Sequence, residues 1–292
     1  MITSSLTHVR DLLHAQLCYQ AFITPIFFPL EKPYRDFAKR ACEFIEGKRT
    51  EVIHQEFPRH YVLHRFEPQR ETNNRKVLIA HGWISRAAYM ARLIDSLYQQ
   101  GYEVYALDFP AHGEAKGLQL PWTDAVAILR DTINQYGPFY AVIGHSFGGS
   151  MLLNTLNVSG QLPDWQLKYK PECAILIASP TQMRSPVNRI AKKFKLSGHG
   201  YLQLRQVMRQ QAQFDLKLIR LNHFISQQPH IPFLCIHGEL DKTISIKESI
   251  EFCEKYPDAK LCLLPEANHI SVLVDERVEQ LVCDFLERPL CH

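Results

Sequence analysis

The sequence predicts an α/β fold, in which a mostly parallel sheet is covered by helices on both faces and a helical segment is inserted late in the chain. Three observations lead to this prediction. Short apolar runs rich in strand-forming residues alternate with longer segments of helical periodicity. A serine flanked by glycines lies where one apolar run changes into a helix. Residues 181–228 interrupt the alternation with helical periodicity and no strand.

Residues 1–50 are predicted to form an N-terminal helical extension. Helical periodicity runs to about residue 19 and again over 34–46, and the apolar stretch 22–30 between them carries two prolines that break helix and strand. We expect this extension to pack on the core or to cross the mouth of the active site. Attachment to a membrane surface is a less favoured alternative that stays open.

The core is predicted to comprise residues 51–180 and 229–292, with 181–228 as a helical cap insertion. Strands alternating with helices require right-handed crossovers, which produce a parallel sheet buried on both faces. The first two strands are expected to form a hairpin through Pro58 and Arg59. The candidate strands are 51–57, 60–67, 76–80, 102–107, 139–143, 173–178, 232–236 and 260–264. The candidate helices are 85–100, 122–136, 201–213, 214–225, 245–256 and 271–286, besides the one that follows the serine.

The composition of the chain excludes several classes of protein. Hydrophobic residues make up 46% of the 292 residues and charged residues 22%, as in ordinary globular proteins. No apolar run approaches the ~18 residues of a membrane span, and the N-terminus lacks the pattern of a signal peptide. Eight cysteines without a Cys-x-x-Cys pair favour reduced thiols in a cytoplasmic protein. No metal or cofactor is expected.

Charge is distributed unevenly along the chain. The net charge of +3 is too small to indicate a nucleic-acid partner. Residues 181–230, however, contain nine Lys and Arg and a single acid, Asp215. This segment is either a solvated basic face or a positively charged lid that attracts an anionic substrate or an acidic surface.

The segment Gly144-His145-Ser146-Phe147-Gly148 carries the clearest chemical signal. It follows the apolar run 139–143 and precedes a helical pattern. A strand that turns into a helix so abruptly forces the turn residue into a cramped conformation, and small neighbours are needed on both sides. The hydroxyl of Ser146 is therefore expected at the end of the sheet, beside a helix N-terminus that stabilises negative charge.

A serine nucleophile needs a base and an acid, and both follow later strands. His269 comes after the last predicted strand and is the expected base, because histidine is the residue type best suited to proton transfer near neutral pH. Asp241 follows strand 232–236 and is the expected orienting acid. Glu239 competes for this role, but the chain must first turn back toward Ser146 after Gly238. We expect the other conspicuous histidines to be structural: His145 is expected to point away from the chemistry, and His81, His112 and His237 are expected to hold loops.

A tetrahedral intermediate also needs hydrogen-bond donors for its oxyanion. The backbone N–H of Phe147, directly after the nucleophile, is one expected donor. The turn His81-Gly82-Trp83 supplies the other, most simply the N–H of Trp83.

These motifs resemble those of the α/β-hydrolase family over about residues 50–290. The elbow at Ser146, the His81-Gly82-Trp83 turn, Asp241 and His269 carry the likeness, and the loop 108–117 resembles the family's glycine-rich loop in part. The resemblance implies an eight-stranded, mostly parallel sheet with a cap after the sixth strand. It also implies a serine hydrolase that works through an acyl-enzyme.

The leading functional prediction is hydrolysis of a carboxylic ester or thioester, with a small acyl compound as substrate and an anionic one as a narrower option. One alternative is a hydrolase of carbon–carbon bonds with the same fold. The other is a non-catalytic protein that binds a small molecule on this scaffold. The oligomeric state is left open.

Overall fold

Eight strands form one sheet whose parallel part ends in the loops that carry the predicted site. In the computed structural model, residues 2–287 are described except 28, 30, 31, 57, 70, 71 and 213–230. The strand order is β1-β2-β4-β3-β5-β6-β7-β8, with β1 and β2 antiparallel to their neighbours and the others parallel. The strands are β1 Glu51–Gln55, β2 Tyr61–Phe66, β3 Lys76–Ala80, β4 Glu103–Asp108, β5 Ala141–His145, β6 Cys173–Ile177, β7 Phe233–Gly238 and β8 Ala259–Leu264.

Helices cover both faces of the sheet and produce two apolar cores. Successive side chains of a strand point to opposite faces, so Leu78 of β3 lies in one core while Val77 and Ile79 lie in the other. The helices on the Leu78 side are α1 Ile2–Ile23, α4 Trp122–Tyr136, α5 Phe147–Ser159, α6 Arg184–Lys193, α7 Gly198–Gln211 and α8 Ile246–Lys255. Those on the opposite side are α2 Lys32–Lys48, α3 Ala91–Gln99 and α9 Glu276–Glu287.

Helix α4 illustrates how local sequence sets these boundaries. Pro121 precedes its first residue, and Asp124 lies in the first turn, where a carboxylate interacts favourably with the helix dipole. The apolar side chains of the helix are buried against the sheet, and it stops at Gly137, after which Pro138 cannot continue it. The predicted bounds 122–136 are those observed.

The predicted fold class is confirmed, and a few predicted elements differ in detail. Instead of one helix over 85–100, a short 3₁₀ turn, Ala87–Met90, precedes α3, because the N–H of Ala87 is bound by the side chain of Asp108. The helix expected from Ser271 is likewise split into the 3₁₀ turn Ser271–Leu273 and α9. Helix α6 was not expected as a separate element, and the predicted helix 214–225 lies outside the described residues.

The N-terminal helix α1 packs against helix α7 of the predicted cap segment. Asp11 of α1 is buried between them, and its Oδ2 accepts hydrogen bonds from Ser197 Oγ and His199 Nδ1, both at 3.1 Å. Burial raises the pKa of Asp11, but these hydrogen bonds outweigh it and the pKa is lowered. The extension and the cap segment therefore form one surface layer. Within the described residues, no helix is long and apolar enough to cross a membrane.

A buried carboxylate, Asp108 at the end of β4, ties two loops to the sheet. Its Oδ1 accepts from the N–H of Ala87 at 2.6 Å, and its Oδ2 accepts from the N–H of Glu114 at 2.8 Å and from His64 Nε2 at 3.1 Å. Burial raises the pKa of Asp108, but the hydrogen bond from His64 and the other donors lower it overall. A side chain on Gly113, whose φ is +55°, would clash with this carboxylate.

Replacing Asp108 by alanine should destabilise the protein by about 3–5 kcal/mol, because the donors around it would stay buried without an acceptor. Asp108→Asn keeps an acceptor oxygen and should lose clearly less. Urea unfolding of the two variants and the wild type measures the difference. Equal stability of Asp108→Ala and wild type would contradict this role.

Candidate active site

The turn after β5 holds Ser146 in the strained conformation expected of a nucleophile elbow. Its backbone has φ 50° and ψ −115°, a region that residues with a side chain rarely occupy. The turn is crowded: a Cβ on Gly144 would clash with the backbone of Gly149, and one on Gly148 would clash with the carbonyl of Ala80. The Ser146 N–H donates to the carbonyl of Ile177 at 2.9 Å. These contacts fix the serine at the carboxyl end of the sheet.

Three predicted residues meet at this point. Ser146 Oγ lies 2.9 Å from His269 Nε2, and His269 Nδ1 lies 2.7 Å from Asp241 Oδ2. They follow β5, β8 and β7 respectively, so three loops at one edge of the sheet bring them together. With Nδ1–H donating to the carboxylate, Nε2 is left as the acceptor for the serine hydroxyl. This tautomer is the one a general base needs.

Asp241 is held as a carboxylate by donors on both of its oxygens. Oδ1 accepts from the N–H groups of Thr243 and Ile244 at 2.7 and 2.8 Å. Oδ2 accepts from His269 Nδ1 and also lies 3.3 Å from His237 Nε2. Burial raises the pKa of Asp241, but the hydrogen bonds from His237 and His269 outweigh it and hold the pKa well below its usual range. Glu239, the competing acid, is exposed.

Two histidines that we expected to be purely structural contact the predicted triad. His237 is fully buried, and its Nδ1 accepts from Ser249 Oγ at 2.8 Å. Its Nε2–H therefore donates to the carbonyl of Ile244 and toward Asp241 Oδ2, each at 3.3 Å. His145 Nε2 donates to the backbone carbonyl of His269 at 3.0 Å. His145 therefore fixes the loop that carries the base and does not simply point away. Neither contact has a signal in the sequence, because both depend on which loops the sheet brings together.

The two predicted oxyanion donors belong to segments that adjoin the serine. Phe147 begins α5, and the first N–H groups of a helix have no partner within the helix. The turn that carries Trp83 is pressed against the elbow, because a Cβ on Gly82 would lie 2.8 Å from His145 Nδ1 and 3.2 Å from Ser146 Cβ. The rings of Trp83 and Phe147 are in edge contact, with centroids 5.2 Å apart.

His112 holds the Trp83 turn from the other side. Ile84, the next residue, has a positive φ of 56°, and its N–H donates to His112 Nε2 at 3.2 Å. The opposite nitrogen, Nδ1, donates to the carbonyl of Pro110 at 2.9 Å. Burial lowers the pKa of His112 to about 4, so the ring is neutral and can accept at Nε2. Its predicted role in holding a loop agrees with these contacts.

The polar side chains around Ser146 are proton donors and acceptors. Among the described residues, no group of three or more His, Cys, Asp or Glu side chains is arranged to hold a metal ion. The donors and acceptors around Ser146 are those of a proton relay. The arrangement can remove the hydroxyl proton, carry it on His269 and stabilise the resulting cation with Asp241.

The buried histidines should make folding stability depend on pH above the range where carboxylates titrate. Burial lowers the pKa of His145 to about 3 and that of His112 to about 4, both below the value of 6.5 in the unfolded chain. Below about pH 6.5 the unfolded state therefore binds more protons than the folded state. The free energy of unfolding is highest above this pH and decreases as the pH falls. Between about pH 7.5 and pH 5, each histidine should reduce the unfolding free energy by about 2 kcal/mol.

Urea unfolding of wild type and His145→Gln at a series of pH values measures this slope. The glutamine amide can still donate to the carbonyl of His269 but does not titrate, so the variant should lose the share of His145, about 2 kcal/mol between pH 7.5 and pH 5. His81 and His112, whose pKa values burial also lowers, should keep their share. An identical slope in both proteins would show that His145 is not held neutral.

A sequence model of the alpha/beta hydrolase family matches residues 77–282. No curated protein sequence matches the chain closely enough to count as a relative. An esterase of Pyrococcus furiosus has a similar solved structure, with 21% identity, a TM-score of 0.59 and 91% of this chain and 97% of that chain covered.

Two further solved structures have the same fold. A thermophilic esterase of Thermogutta terrifontis is 16% identical with a TM-score of 0.59, covering 81% of this chain and 92% of its own. The thioesterase domain from the curacin biosynthetic pathway is 15% identical with a TM-score of 0.53, covering 82% and 99%. At these low sequence identities, the structural similarity shows the fold alone. Because the family model spans most of the sequence, including the stretch with Ser146, Asp241 and His269, the chain belongs to the alpha/beta hydrolase family.

Proposed function

We propose that this protein hydrolyses carboxylic esters or thioesters through an acyl-enzyme formed on Ser146. The observation that carries the proposal is the continuous hydrogen-bonded chain from Ser146 Oγ through His269 to Asp241, at 2.9 and 2.7 Å. A serine hydroxyl becomes a useful nucleophile only beside such a base. Membership of a hydrolase family agrees with the proposal.

In the first half of the reaction Ser146 Oγ attacks the acyl carbon while His269 Nε2 takes the hydroxyl proton. The positive charge that develops on His269 is stabilised by Asp241, whose low pKa keeps it ionised. His269 then gives the proton to the leaving alcohol or thiol, and the bond between the acyl carbon and that group breaks. The acyl group remains bound to Ser146 as an ester.

The oxyanion of each tetrahedral intermediate would accept hydrogen bonds from the N–H groups of Phe147 and Trp83. Loss of one such donor typically costs ~10²–10³ in turnover, so the position of the Trp83 turn contributes to the rate alongside the base. His112 acts here as a positioning residue through its bond to Ile84. In the second half, His269 removes a proton from water while the water oxygen attacks the acyl carbon. His269 then returns this proton to Ser146 Oγ as the bond between Oγ and the acyl carbon breaks, which frees the carboxylic acid and restores the serine hydroxyl.

The substrate class is proposed from the chemistry of the site and of the cap. The similar structures include proteins described as an esterase and a thioesterase domain, which agrees with acyl transfer to water. The basic character of 181–230 favours anionic acyl compounds, such as acyl-CoA thioesters or lysophospholipids.

The seven described cysteines are free, in keeping with the expected cytoplasmic location.

A panel of soluble acyl esters, acyl thioesters and lysophospholipids should be turned over by the wild type and not by Ser146→Ala. Loss of the nucleophile should reduce kcat by about 10⁴-fold or more. Ser159→Ala is the matched control, because Ser159 is the last residue of α5, the helix that directly follows Ser146. This variant should keep full activity.

Two results of this panel would contradict the proposal. The first is undiminished esterase activity of Ser146→Ala. The second is a lack of turnover of every ester and thioester by the wild type, which would favour a carbon–carbon bond hydrolase or a non-catalytic binding protein.

A further inference from the structure

Helix α1 exposes a row of apolar side chains that nothing in the described structure covers. Its inner face, with Ala15, Cys18 and Tyr19, is buried against the core. On the opposite side Val9, Leu13 and Leu17 follow one another at four-residue spacing, with 51%, 59% and 60% of their surface exposed. An exposed apolar row of this kind usually marks a contact surface.

This row continues toward the predicted active site. Gln20 lies next on this side of α1, and Thr24 directly follows the helix. Gln119 Nε2 donates to Gln20 Oε1 at 2.6 Å and to Thr24 Oγ1 at 3.2 Å. Beside Gln119, Leu118 is 84% exposed. The backbone N–H of Leu120 in turn donates to the carbonyl of Ile23 at 2.8 Å. The end of α1 and the loop 110–120 are therefore fixed together.

A chain of ring contacts links this surface to the catalytic turn. The half-exposed ring of Phe27 contacts His112, with centroids 5.8 Å apart. His112 contacts Trp83, with ring centroids 5.1 Å apart. Trp83 belongs to the turn after β3 that packs against the Ser146 elbow. The apolar surface thus reaches the rim of the site.

The surface beside this row is basic. Leu202, Arg205 and Arg209 share the exposed face of α7, which packs on α1 through Asp11. All basic side chains of 181–212 are exposed and none has an ion-pair partner within the described part of the chain; they are Arg184, Arg189, Lys192, Lys193, Lys195, Arg205 and Arg209. The same stretch contains no acid, and the single acid of α1, Asp11, is buried.

We propose that this surface docks on an anionic lipid bilayer. We name it the docking face and define it by Val9, Leu13, Leu17, Phe27, Leu118 and Leu202. Apolar side chains flanked by exposed Lys and Arg are the combination that holds a helix in the headgroup region of such a bilayer. A second copy of the chain is a poorer occupant, because a symmetric contact would bring two basic surfaces together.

Docking in this way would present the rim of the site to the bilayer. The inference deepens the proposed function and rests on it, because the substrate class becomes lipid esters that reach Ser146 from the membrane surface. It agrees with attachment to a membrane surface, the less favoured alternative that the sequence left open for the N-terminal extension.

Vesicle flotation tests the inference directly. The wild type should bind vesicles of phosphatidylglycerol and phosphatidylcholine in equal parts more than about tenfold tighter than phosphatidylcholine vesicles, and added salt should weaken the binding. Leu13→Gln with Leu17→Gln removes two exposed apolar side chains without changing charge and should weaken binding about tenfold. Lys192→Glu with Lys193→Glu should weaken it more than about twentyfold, since each lysine near an anionic surface contributes about fivefold.

The matched control is Lys39→Glu with Arg40→Glu on α2, which packs on the opposite face of the sheet and carries the same change in charge. It should bind as the wild type does. Hydrolysis of a soluble short-chain ester should be unchanged in every variant, so this assay reports on the proposed function separately from the binding.

Three results would overturn the docking inference. They are a lack of binding to the anionic vesicles, equal losses in the control and in the Lys192/Lys193 variant, and a dimer in sedimentation that the Leu13/Leu17 variant abolishes. If wild type binds the vesicles but does not hydrolyse soluble esters, the docking face stands and the proposed function fails.

Discussion

The strained backbone of Ser146 is the constraint on which the rest of the site depends. A residue with φ 50° and ψ −115° stays in place only if its surroundings leave no alternative. Here the glycines at 144, 148 and 149 allow strand β5, helix α5 and the end of β3 to approach more closely than any side chain would permit. The strain therefore has a structural source, and its effect is to present the hydroxyl at the edge of the sheet.

Everything else at the site is arranged around that fixed hydroxyl. The parallel strands β5, β7 and β8 end at one edge, so short loops suffice to bring Asp241 and His269 to Ser146. A layer of buried histidines then holds those loops: His237 on Asp241, His145 on the carbonyl of His269 and His112 on Ile84. In each of these rings one nitrogen donates a hydrogen bond. Burial or a bond to the second nitrogen then favours one tautomer. The geometry of the proposed relay depends on these buried rings as well as on Ser146, His269 and Asp241.

Sequence reasoning was most successful where a residue's environment is local. The elbow, the position of Asp241 after β7 and that of His269 after β8 all follow from where strands end, and the structure brings these residues together. Helix α4 has the predicted bounds because proline and glycine mark its two ends. Contacts made across the fold could not be predicted. The bond from His145 to His269 joins residues 124 positions apart, and the pairing of Asp11 with α7 joins an N-terminal helix to the predicted cap segment.

The central claim is that Ser146 is an activated nucleophile, and covalent labelling tests it most directly. A fluorophosphonate reacts only with a serine whose proton is removed by a base, so its rate of attachment measures activation without a choice of substrate. We expect one adduct per chain, located on Ser146 by peptide mass spectrometry, and its loss in His269→Ala. An unlabelled Ser146 in the folded wild-type protein, or equally fast labelling of His269→Ala, would contradict the account.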